Sequence, residues 1–117
     1  MESLNQRGRL LRDGMADLKT ITALELAEVI REHQDMLKGR GGIRRANLSF
    51  HDLENQRLVD LDFSTADFSG ANLQHAVLTR TNFTQATLFC TDLRVADLRR
   101  ANMTGWDLRG ACLGGSD

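Results

Sequence analysis

From Leu48 onward, every fifth residue is large and apolar: Leu48, Leu53, Leu58, Phe63, Phe68, Leu73, Leu78, Phe83, Leu88, Leu93, Leu98, Met103, Leu108 and Leu113. If such residues make up about three tenths of the chain, fourteen in succession arise by chance with odds on the order of 10⁻⁷. The position two before each is most often Ala, as at Ala66, Ala71, Ala76, Ala86 and Ala96. The position immediately before is Asn or Asp in ten of the fourteen pentads. The two positions after it are mostly polar, charged or Gly. A period of five fits neither an α-helix nor a flat strand. Residues two apart on an extended segment point the same way, so the small and large residues of each pentad face one side together. The next position on that track holds residues such as Gly70, Arg80 and Arg100, so the chain must turn before reaching it. A corner every five residues winds the chain around its own apolar interior. Gly, Asn, Asp, Ser and Thr supply the corners, and the absence of Pro keeps the ladder donors intact.

Upstream of the repeat the pattern changes to a helical one. Thr22 and Glu25 form a capping-box signature, followed by Leu26, Val29, Ile30, His33 and Leu37 on one helical face. Gly39 stops the helix. The spacing predicts a helix over 22–38 whose apolar face closes the first coil, with Gly41-Gly42 bending into the solenoid. His33 on that face reads as a satisfied packing residue rather than a ligand. Residues 1–21 form a separate N-terminal segment, in which Leu10, Leu11, Met15, Leu18 and Ile21 suit a short second helix; disorder and a partner-binding helix stay open. The expected organisation is therefore 1–21, a capping helix and turn at 22–42, and the repeat at 43–117.

Periodicity alone does not say how many corners make one coil. The motif A(D/N)LXX, as in Ala66-Asp67-Phe68-Ser69-Gly70, Ala71-Asn72-Leu73-Gln74-His75 and Ala96-Asp97-Leu98-Arg99-Arg100, resembles the pentapeptide-repeat family over residues 46 to about 115. The resemblance implies a β fold: a right-handed quadrilateral β-helix with four pentads per coil, here about three and a half coils, capped by the N-terminal α-helix. A twenty-residue coil predicts the stacks Leu48-Phe68-Leu88-Leu108, Leu53-Leu73-Leu93-Leu113, Leu58-Leu78-Leu98 and Phe63-Phe83-Met103.

Charge changes this picture little. The chain has 117 residues and a formal net charge of −1. Residues 1–45 carry nine basic and seven acidic side chains, and residues 46–117 carry six and nine. No strong pull toward nucleic acid or membrane follows. Cys90 and Cys112 form neither a disulfide framework nor a zinc pattern, and they read as buried or idle thiols in a reducing cytosol. No apolar run approaches the roughly 20 residues that span a bilayer, and Met1-Glu2-Ser3-Leu4 does not open a signal peptide. A cytoplasmic location, without membrane or direct nucleic-acid binding, is the expectation.

The search for chemistry returns no catalytic, cofactor-binding or metal-ligating set. The carboxylates of the Asn/Asp slot are expected to bond nearby backbone. Asp60, Arg80 and Arg100 share one corner file and read as a surface charge ladder, and Arg94, Arg99, Arg100 and Arg109 as a solvated basic area. The outward apolar residues are more informative. Phe50, Val59, Val77, Phe89 and Val95 break the polar outer pattern, with Phe50, Phe89 and Cys90 on one side of the square. Trp106 occupies an inward small-residue slot, where it turns outward or plugs the last coil. Phe50, Phe89, Val59, Val95, Trp106 and Leu113 form the candidate interaction surface.

These observations favour a non-catalytic protein-interaction or scaffold module, one domain of a larger bacterial protein, with no cofactor. The open coil at the C-terminal end predicts cover by a second copy, as a homodimer, or by a further domain. The resemblance offers an alternative: mimicry of duplex DNA toward gyrase or topoisomerase, as in the quinolone-resistance branch. The weakly charged repeat and its unbroken register argue against it.

Overall fold

The pentad pattern dictates a chain that alternates one inward pair with one corner. The computed structural model, which describes residues 18–39 and 45–116, has that form. Every fifth residue from Phe50 to Gly115 has positive φ, fourteen corners in all. At most corners the carbonyl of the large apolar residue accepts from the N–H three residues on, as from Phe63 to Ala66 at 3.0 Å. That bond, with positive φ at the third residue, describes a type II turn.

Between corners there is room for only a single bridge, so the sheets are built of isolated parallel bridges rather than long strands. Each bridge in the repeat joins residues twenty apart: Asn47 to Asp67, Asp67 to Thr87, Thr87 to Asp107, and likewise on the other sides. Leu73 N–H donates to the Asp92 carbonyl at 2.8 Å, and Asp92 N–H donates to the Ala71 carbonyl at 3.0 Å. One circuit therefore takes four pentads, and the chain is a β-helix with four flat faces. Face one carries Leu48, Phe68, Leu88 and Leu108 inward. Face two carries Leu53, Leu73, Leu93 and Leu113; face three, Leu58, Leu78 and Leu98; face four, Phe63, Phe83 and Met103.

The large residues from Leu48 to Leu98 are buried together with Ala46, Ala66, Ala71, Ala76, Ala86 and Ala96. Phe63 and Phe83 stack at 6.1 Å between centroids, 17° from parallel, and Phe68 meets both edge-on. Two threonines take the alanine slot without leaving a hydroxyl unpaired. Thr81 Oγ1 donates to the Leu58 carbonyl, and Thr91 Oγ1 donates to the Phe68 carbonyl at 2.7 Å. The last rung is more open, with Met103 38% and Leu113 42% exposed. Trp106 is half-buried there, its ring 5.9 Å from that of Phe83; it plugs the coil rather than turning outward.

Helix α1 spans Ala23–Leu37, one residue inside the predicted range at each end. Its capping box is complete: Glu25 N–H donates to Thr22 Oγ1, and Thr22 N–H donates to the Glu25 carboxylate. Leu26 and His33 are buried, and Val29 and Ile30 pack beside them on the core. Leu37, expected on that face, is exposed, because the helix outruns the core by its last turn. His33 locks the cap. Its Nδ1 accepts from Ala46 N–H at 2.9 Å and its Nε2 donates to the Ser64 carbonyl at 3.0 Å.

The expected short helix does not reach residues 18–21. Lys19 instead bridges His51 in parallel, donating to the Phe50 carbonyl at 2.7 Å and accepting from Asp52 N–H at 2.8 Å. This segment extends the ladder on face two by one rung and covers part of its open edge. The remainder of that expectation, and the Gly41-Gly42 bend, lie outside the described residues.

Candidate functional surfaces

The Asn/Asp slot is structural throughout. All ten of its members accept from the N–H two residues on, at 2.9–3.2 Å. The side chain thus satisfies a backbone donor at the bend, as an Asx turn does. In three pentads the same carboxylate also holds an arginine two residues on: Asp92 with Arg94, Asp97 with Arg99 and Asp107 with Arg109, each at 2.7 Å from Nη2. The Arg99 fork and its backbone N–H hold Asp97 down to a pKa of about 2. On the third face, Asp60 and Arg80 pair through two bonds of 2.6 and 3.0 Å, and Arg80 lowers the Asp60 carboxyl below its ordinary range. Three of the four expected basic residues near the C-terminal end are therefore neutralised within their own pentads.

The six residues of the expected interaction surface do not form one patch. Phe50 and Phe89 do share face one, 57% and 46% exposed, with Cys90 exposed beside them. The Phe50 ring lies over Gly70, where a Cβ would stand 2.5 Å from Cε1. The Arg109 guanidinium sits 5.7 Å from the Phe89 ring centroid. Val95 is exposed at a corner of face two, Val59 is half-buried on face three, Trp106 packs half-buried against the core, and Leu113, on the inward file of face two, is exposed at the open last rung. Cys90 and Cys112, read as buried or idle, are both exposed free thiols.

Sequence reasoning missed a feature of face three. Arg57, Val77, Thr79, Arg80, Arg99 and Arg100 line a groove of about 570 Å³. The signal was present: Arg57 and Val77 stand in the Asn/Asp slot, twenty residues apart, and the structure bridges them directly. Among the described residues no cluster of His, Cys, Asp or Glu could hold a metal ion, and no helix is long and apolar enough to cross a membrane.

The profile described as Pentapeptide repeats matches residues 46–85 and 76–115, in eight copies. This chain belongs to the pentapeptide-repeat family. Its architecture is accordingly the family's right-handed β-helix with an N-terminal helix added. Solved relatives include a pentapeptide repeat protein of the Arabidopsis thaliana thylakoid lumen, 36% identical over 60% of this chain and 52% of that one, with a TM-score of 0.39. A pentapeptide repeat protein of Nostoc is 28% identical over 81% of this chain and 77% of that one, at 0.30. QnrB1, a plasmid-mediated fluoroquinolone resistance protein, is 21% identical over 61% and 36% of the two chains, at 0.39. The match thus spans about half of the thylakoid protein and about a third of QnrB1. No curated protein matches.

Proposed function

We propose that this pentapeptide-repeat chain is a non-catalytic protein-interaction or scaffold module, a quadrilateral coil of about three and a half turns acting in the cytoplasm. The observation that carries the reading is the pair of exposed phenylalanines on face one, above a core filled from Leu48 to Leu98. A filled interior offers no enclosed pocket for a substrate. Aromatic side chains held on a flat, rigid surface are effective protein anchors. The open last rung, with Met103 and Leu113 exposed, suits a second copy or a following domain as an additional contact.

The test is quantitative co-purification from cells of origin with the intact chain and with the Phe50→Asp/Phe89→Asp double variant, their melting temperatures compared first. A defined partner held by the first and lost by the second is expected. Equal retention by both would remove face one from the reading. DNA mimicry is the competing account. It calls for an acidic surface, whereas face three presents Arg57, Arg80, Arg99 and Arg100 together. Inhibition of purified gyrase in a supercoiling assay would reinstate it.

A further inference from the structure

We infer that the groove on face three is a binding site for an acidic peptide segment, with Arg57 and Arg100 as its carboxylate-binding residues. The inference builds on the interaction-module reading but uses a different face, so either can fail without the other.

Elsewhere in the repeat an arginine is matched by a carboxylate of its own pentad, as at Asp92–Arg94 and Asp107–Arg109. Face three breaks that rule on two adjacent rungs. Arg57 replaces the carboxylate of the first rung, and Val77 replaces that of the second. The third rung keeps Asp97, already forked by Arg99. Asp60, the other carboxylate of this face, is forked by Arg80. Arg57 and Arg100 remain without a hydrogen-bonded carboxylate among the described residues. They line the groove from the first and third rungs, and Val77 and Thr79 line it from the rung between them. Two rung spacings place them about 10 Å apart along the axis. The groove lining carries four arginines against one aspartate.

A guanidinium binds a carboxylate through a two-pronged fork, the geometry this molecule already uses on Asp60 and Asp97. A peptide whose acidic side chains reach across two rungs and the three-position offset between Arg57 and Arg100, somewhat more than about 10 Å, therefore fits the site. A nucleic-acid strand fits less well. The groove has no aromatic side chain on which a base could stack.

Fluorescence anisotropy with a labelled Asp/Ser peptide of about eight residues, longer than the groove, tests the proposal. Arms with a Lys/Ser peptide and a single-stranded oligonucleotide run beside it. Saturable binding of the acidic peptide is expected, weakened at least about tenfold in Arg57→Ala/Arg100→Ala and unchanged in Arg94→Ala on face two. Exposed arginine changes of this kind leave folding nearly unaltered, and a melting curve checks each variant. The proposal is overturned by no saturation below about 1 mM, by equal loss in the Arg94 variant, by undiminished binding in the double variant, or by tighter binding of the oligonucleotide.

Discussion

Each corner residue sits at positive φ, and only four of the fourteen are glycine. Phe50, Thr65 and Val95 hold this conformation against the clash between Cβ and the following carbonyl, a cost of roughly 1–2 kcal/mol for an ordinary side chain. Val95, β-branched and half exposed, is the least suited. Val95→Asn should raise stability by about 1 kcal/mol, read as a higher denaturant midpoint at unchanged slope. Gly70 has a second constraint, because its missing side chain leaves the space that Phe50 fills. Gly70→Ala should destabilise by more than the corner strain alone. Repeating it in a Phe50→Ala background should recover about 1 kcal/mol, and a double-mutant cycle with zero coupling would contradict that packing. In the core, Phe83→Ala removes contacts with Phe63, Phe68 and Trp106 at once and should cost about 3–5 kcal/mol in urea unfolding.

Helix α1 is joined to the coil by a histidine whose two ring nitrogens have opposite roles. With Nε2 donating and Nδ1 accepting, only the neutral ring satisfies both partners. Burial lowers the His33 pKa below its ordinary value; the Ser64 carbonyl and Asp62 oppose that shift, and Arg45 adds to it. The unfolded chain therefore binds a proton that the folded chain refuses. Stability is fully present above the ordinary imidazole pKa of about 6.5 and declines as the pH falls toward the lowered folded value. A stability–pH series should show this decline in the native chain and lose it in His33→Leu. That variant should itself be weaker by roughly 1–3 kcal/mol, because it leaves the Ala46 N–H unpaired, while the Ser64 carbonyl keeps its bond from the Thr65 hydroxyl. The helix was readable from Thr22, Glu25 and the 3.6-residue spacing, since capping and amphipathicity are local. The pairing of Lys19 with His51 was not. A single bridge has no period, and a short apolar segment reads equally well as helix or edge.

Over the whole molecule each rung is held by its neighbours, so local stability should follow the number of covered sides. Amides of the middle rungs, such as Leu73, Leu78 and Phe83, should exchange more slowly with solvent than those of Met103, Leu108 and Leu113. Native-state hydrogen exchange reads this directly, and uniform protection would show that the last rung is as well covered as the rest. The two candidate surfaces also belong to this scale. Phe50 and Phe89 are 39 positions apart, and Arg57 and Arg100 are 43 apart; winding alone brings each pair onto one face, two rungs from each other.

The five-residue pattern by itself determined which side chains face the core, where the corners fall and which carboxylates bond backbone. Those outcomes depend on side-chain direction and turn chemistry within one pentad. Only the closed circuit decided that residues twenty apart lie in register, that Gly70 sits beneath Phe50, and that Arg57, Val77 and Arg100 share a face. Stacking is set by where the backbone returns to meet its own hydrogen-bonding groups, and no local segment carries that distance.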